Sequence, residues 1–193
     1  MMVRAGQVTA LLVPYEGAEV LPIYTTTVAV SGGDAPRPPS AGRAVPDDGS
    51  LDLVLTQPRE LGGDGGGTNA QQLFAAGFAS CFHGAMSMVA ASMRVPVPHI
   101  DIAVTVSFGR DPVDGLFLLT ADLEVSLPAM DALDAARLVG ESERICPYAK
   151  LARNGIAIAD FQEAIGMALG GEAVTTTVEG RQRYNVNLRY PRG

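Results

Sequence analysis

Charge is what the middle of this chain lacks. Between Leu73 and Met93 there is no Asp, Glu, Lys or Arg, although the 193-residue chain carries a formal net charge of −7. A solvated surface helix is excluded for Thr68 to Met93, TNAQQLFAAGFASCFHGAMSMVAASM, because so apolar a segment has to be buried. About 20 uncharged residues also suffice to cross a bilayer. Gln71, Gln72, His83 and the interrupting Ser and Gly residues spoil a lipid-facing surface, however, and flanking positive charge is missing. A helix buried all round by protein is the expectation.

Basic residues are in deficit too, 14 Lys and Arg against 21 Asp and Glu, with no basic patch carrying interleaved aromatics. Nucleic acid and membrane surfaces are therefore not expected partners. Cysteine is scarce: Cys81 and Cys146 stand far apart. The opening MMVRAGQVTALLVPY is broken by Arg4, Gly6 and Gln7 and is not expected to act as a secretory leader; a reducing cytoplasm is expected. The glycine-rich run Glu60 to Gly67 is followed by no lysine, which removes a phosphate-cradling loop of the Walker type. Its expected role is permissive backbone before a helix that Thr68 caps, with Gln71 reaching back in a Thr-x-x-Gln box. Cys81, His83, Cys146 and His99 match no familiar zinc spacing, and neither metal nor cofactor is expected.

What is present fits one domain plus an appendage, with 47% apolar residues to build a core. A short strand is expected around Thr9 to Val13, a β-branched strand at Ile23 to Ser31, and a Pro-rich loop from Asp34 to Ser50. Leu51, Leu53 and Leu55 alternate through a strand at Ser50 to Thr56. Beyond Pro96 and Pro98, period-two runs from Ile100 to Phe108 and Phe117 to Leu127 flank Arg110 to Gly115, predicting a long antiparallel hairpin. Met130 to Ile145 reads as a helix that ends where Pro147 forces Cys146 out of helical geometry. The fold class is α+β, antiparallel strands before and after an apolar helix covered by sheet and a partner subunit.

Gly77, Cys81 and Gly84/Ala85 recur at helical spacing, placing the thiol on a stripe of small residues. By residues alone, Cys81 is either a buried small hydrophobe or a reactive thiol.

Three stretches carry a resemblance: Pro58-Arg-Glu-Leu-Gly-Gly63, Gly67-Thr-Asn-Ala-Gln-Gln-Leu-Phe-Ala-Ala-Gly-Phe-Ala-Ser-Cys-Phe82 and Ile145-Cys-Pro-Tyr148. They resemble the organic hydroperoxide resistance (Ohr) branch of the OsmC family. With Tyr24, the Asp48 to Leu53 strand, the hairpin and Leu127-Pro128, the likeness covers about residues 20 to 158. It implies an OsmC-like fold in an intertwined homodimer with active sites at the subunit interface. It also implies a peroxidatic Cys81 that attacks an organic hydroperoxide and a resolving Cys146 that forms a disulfide with it. A dithiol, lipoyl groups in this family, then reduces that disulfide.

Two positions depart from the family. It activates its thiolate with an arginine held by a glutamate, and here the residue after Gly32-Gly33 is Asp34, while the residue ten before Cys81 is Gln71. Arg37 is the nearer substitute for the missing arginine, and Arg43 the second; each also reads as an exposed loop charge. The expectation is peroxidase activity at reduced rate. The rival is a non-catalytic OsmC-fold protein that binds a ligand or senses redox state.

After Ala152 the chain changes character. A short strand from Arg153, a helix capped by Asp160, and strands at Ala173 to Val178 and Tyr184 to Tyr190 are expected. The tail from Val174 to Arg192 resembles a porter-domain segment of heavy-metal efflux pumps of the resistance-nodulation-division class, without the membrane spans that transport needs. The domain reading is thus an extension over residues 1–19, an OsmC/Ohr-like domain over 20–158 and an appendage over 159–193.

Overall fold

A computed structural model describes residues 11–32, 42–97, 99–128, 130–154 and 186–189. The elements are β1 (Val28–Ser31), β2 (Gly42–Pro46), β3 (Leu53–Leu55), α1 (Ala70–Met93), β4 (Asp101–Arg110), β5 (Phe117–Ser126), α2 (Ala132–Ile145), α3 (Pro147–Asn154) and β6 (Val186–Arg189). They form two compact units, Met1–Gly77 and Phe78–Gly193, and the division falls within α1.

The first unit holds an antiparallel sheet in the order β1-β2-β3. Its central strand, β2, lies inside the segment expected to be a Pro-rich loop. Gly42 to Pro46 pairs with Val28 to Ser31 on one side and with Leu53 to Leu55 on the other. β1 is shorter than expected for the same reason. Its partner strand ends at Pro46, opposite Val28, and beyond it only the Asp47 amide reaches back, to the Thr27 carbonyl at 3.2 Å. Among the described residues Ile23 and Tyr24 therefore have no ladder partner, and they are 79% and 77% exposed. β3 likewise covers only the middle of its expected span, and Leu11 to Val13 contain no strand.

The glycine run leads into α1 through a parallel bridge between Leu55 and Thr68. At Gly67 a side chain has no room: a Cβ there would lie 2.7 Å from the Val54 carbonyl oxygen. Thr68 donates its amide to Val54 O and accepts from Thr56 N, both at 3.0 Å, so its backbone is held extended.

In the second unit, Phe78, Phe82, Met86, Leu123, Leu138 and Val139 are fully buried and form the core. The hairpin is in the expected place, its register running from Asp101 opposite Ser126 to Arg110 opposite Phe117. Ala121, Leu123 and Val125 point inward at alternate positions, as one buried face requires. α2 is capped by Asp131, whose carboxylate accepts from the amides of Leu133 and Asp134.

α1 is long and apolar enough, by length and composition, to cross a membrane. Within one chain it is not buried all round. Phe78, Phe82, Ala85, Met86, Val89 and Ala90 are buried, whereas Ser80, His83, Gly84, Ser87 and Ala91 are exposed. The helix ends at Met93 with Arg94 in the left-handed region (φ 56°), where Val95 N bonds to Ala90 O and Arg94 N to Ala91 O. That is the Schellman pattern, with arginine in the place usually taken by glycine.

At the start of the strand expected from Arg153, Arg153 and Asn154 instead close α3, and the rest of that span lies outside the described residues. The strand within Tyr184 to Tyr190 is present as β6, and it pairs with β5 in parallel, so the second sheet is mixed rather than purely antiparallel. Its register sets Val186 and Leu188 opposite Ala121 and Leu123, and Asn187 and Arg189 opposite Asp122 and Glu124. The expected helix after Asp160 and strand at Ala173 to Val178 lie outside the described residues.

Candidate redox site

Cys81 sits near the middle of α1, half-buried, and Cys146 sits fully buried in the joint between α2 and α3. The joint follows from Pro147. Proline disfavours helical geometry at the residue before it and suits the first position of the next helix. Cys146 accordingly has extended dihedrals (φ −70°, ψ 117°). It still closes α2, donating its amide to Ser142 O at 2.9 Å, and it opens α3, its carbonyl accepting from Lys150 N at 3.0 Å.

The two sulfurs are 3.5 Å apart, with the Cys146 thiol donating to Cys81 Sγ. Both cysteines are free. Closing to the roughly 2.05 Å of a disulfide needs only a small displacement. Burial pushes the Cys146 thiol up to about 11; the Ala149 amide pulls the other way, the neighbouring Cys81 sulfur adds to the rise, and the Tyr148 amide opposes it more weakly. Cys146 is therefore protonated near neutral pH and serves as the donor of the pair.

The sequence reading missed an aromatic contact beside the sulfurs. Phe78, one turn before Cys81, and Tyr148, two residues after Cys146, lie with ring centroids 5.9 Å apart. The spacing of Phe78 to Cys81, i to i+3 on a helix, was the available signal.

The remaining site residues fall as follows. Gln71 is in the first turn of α1 but makes no capping box. Asn69 and Gln72 do: the Gln72 amide donates to Asn69 Oδ1 at 2.8 Å and the Asn69 amide to Gln72 Oε1 at 3.0 Å. The shift by one residue follows from Thr68 being committed to its bridge with β3. Arg43 lies on β2, not in a loop, and its guanidinium donates to Asp52 Oδ2. Arg37 and Asp34 lie outside the described residues. His83 is exposed, and His99 Nε2 meets Asp101 Oδ1 at 3.0 Å. Among the described residues no three His, Cys, Asp or Glu side chains gather in a metal-binding cluster.

A long apolar helix, two small sheets and a paired thiol in a helix joint describe a class of thiol-bearing α+β proteins, and comparison with known proteins places the chain within it. The family described as OsmC-like protein matches residues 63–159, and this chain belongs to the OsmC family. It is 39% identical over 137 residues to the organic hydroperoxide resistance protein of Xanthomonas axonopodis pv. citri (strain 306), covering 70% of this chain and 92% of that one. It is 34% identical over 136 residues to the organic hydroperoxide resistance protein OhrB of Bacillus subtilis (strain 168), covering 70% and 95%. The crystal structure of an organic hydroperoxide resistance protein OsmC from Legionella pneumophila superposes with a TM-score of 0.63 at 30% identity, over 88% of this chain and 98% of that one. The OsmC-like fold is thus shared, and relatives in this family are named for resistance to organic hydroperoxides.

Proposed function

We propose that this chain is a thiol-dependent reductase of organic hydroperoxides, with Cys81 as the attacking sulfur and Cys146 as the resolving one. The carrying observation is the 3.5 Å approach of the sulfurs with the buried, protonated Cys146 as donor. The Cys81 thiolate attacks the terminal peroxide oxygen and becomes a sulfenic acid. The O–O bond breaks, and the departing alkoxide takes a proton to become an alcohol. The Cys146 sulfur then displaces the sulfenic oxygen as water, giving the disulfide, and a dithiol, on the family's pattern a lipoylated protein, returns both thiols by exchange.

Activity runs below the family's level because Gln71 cannot hold an arginine as a carboxylate does. Arg37 is the proposed substitute cation. The protein acts in the cytoplasm as a homodimer, neither membrane-bound nor attached to nucleic acid. The exposed small residues of α1 and the exposed Val20, Ile23 and Tyr24 support a second copy of the chain as their cover. The tail is assigned no part in efflux.

Two measurements test this reading. Mass spectrometry after one equivalent of cumene hydroperoxide should find a Cys81–Cys146 disulfide. Peroxide consumption with a lipoyl reductant should vanish in Cys81→Ser and rise in Gln71→Glu. Equal consumption by wild type and Cys81→Ser would overturn the enzymatic reading in favour of ligand binding or redox sensing, which Gln71 and Asp34 favour.

A further inference from the structure

Nothing covalent holds the reduced sulfurs at 3.5 Å; their separation is set by how α1 and α3 meet. Phe78 is fully buried and Tyr148 half-buried, and their tilted rings, 31° between planes, touch within a turn of the two cysteines on both helices. Two points of contact, ring to ring and sulfur to sulfur, fix the approach of one helix to the other where a single point leaves it free to pivot.

The geometry points to Phe78 and Tyr148 as a positioning pair that sets the alignment of Cys146 on Cys81, and so the rate of the disulfide-forming step. Neither ring touches the peroxide oxygen in this role. Condensation needs the Cys146 sulfur in line with the breaking S–O bond, and a misplacement of about 1 Å costs on the order of 100-fold. The attack on peroxide needs only Cys81 and is spared. The inference rests on the proposed chemistry for its peroxide arm alone.

The experiment follows both steps in the full chain after one equivalent of cumene hydroperoxide, trapping sulfenic acid with dimedone and counting disulfide by mass spectrometry. In Tyr148→Ala, disulfide formation should slow at least tenfold while sulfenic acid forms within about threefold of wild type, so that trapped and overoxidised Cys81 accumulate. Tyr148→Phe should restore the second step, and Phe78→Leu, which keeps apolar bulk but removes the ring, should repeat the defect. A second arm uses diamide, which takes two electrons and two protons from the thiol pair to become its hydrazine and needs no peroxide recognition. The same rank order is expected there even if the chain does not reduce peroxides. Disulfide formation at the wild-type rate in Tyr148→Ala and Phe78→Leu, a parallel fall in both steps, or failure of Tyr148→Phe to restore the rate would each overturn the assignment.

Discussion

Asn69 and Gln72 each hold the other's backbone amide with a side-chain oxygen, at 2.8 and 3.0 Å, at the start of α1. Reciprocal caps of this kind contribute about 0.5–2 kcal/mol. Asn69→Ala should therefore lower stability by about 1 kcal/mol in urea unfolding, while Gln71→Ala should be close to neutral. A larger loss at Gln71 than at Asn69 would contradict the assignment.

Arg43 is occupied. Its guanidinium is bonded to exposed Asp52, the residue before β3, which holds Arg43 more firmly protonated than usual. Arg43→Ala should leave the rate of Cys81 oxidation within about twofold of wild type and shift the unfolding midpoint little, since exposed ion pairs are weak. A tenfold loss of thiol reactivity would return Arg43 to the candidates for activating cation.

Arg94 adopts a backbone conformation that glycine takes at no steric cost. Arg94→Gly should stabilise the chain by about 1 kcal/mol through relief at the end of α1. Unchanged or lowered stability in thermal unfolding would show that the side chain contributes more than its strain removes.

The raised Cys146 pKa carries a pH dependence of known sign. The folded chain keeps this proton above the pH at which the unfolded thiol loses it, so its contribution is complete below about pH 9 and is lost as pH rises toward about 11. Reduced wild type compared with Cys146→Ser in urea should show an advantage that narrows across that window. An advantage that stays constant or widens would rule the thiol out as its source.

β6 is the most consequential addition to the second sheet. Asp122 Oδ1 is buried and has no hydrogen-bond partner among the described residues, and its register partner on β6 is Asn187. Leu188→Pro removes an amide from β6 and should accelerate hydrogen exchange of the Ala121 to Glu124 amides at least tenfold. Exchange at the wild-type rate would mean that β6 does not stay docked on β5.

The elements best legible in sequence were those whose signal is local. Alternation from Ile102 to Val106 and from Ala121 to Val125 fixed the hairpin, and Pro147 fixed the non-helical Cys146. β2 was hidden because Pro36, Pro38, Pro39 and Pro46 give the whole stretch a loop composition, while its pairing with β1 and β3 is non-local. The cap was misplaced by one residue because only the bridge from Leu55 to Thr68 decides between Thr68 and Asn69 as its start. The two cysteines were identified by resemblance, since an apolar helix surrounding Cys81 speaks equally for an inert thiol. Their meeting is a tertiary fact that no spacing of 65 residues encodes.

The parallel pairing of β5 with β6 also sets the order in which the second sheet is completed. β4 and β5 can join as soon as residue 126 has been synthesised, but the neighbouring edge of β5 waits until synthesis passes residue 189. Throughout that interval an open strand edge is available to any other nascent copy, the situation in which sheets mispair between chains. A chain built this way has most need of chaperone protection late in synthesis, after the thiol pair and its surrounding helices have been made.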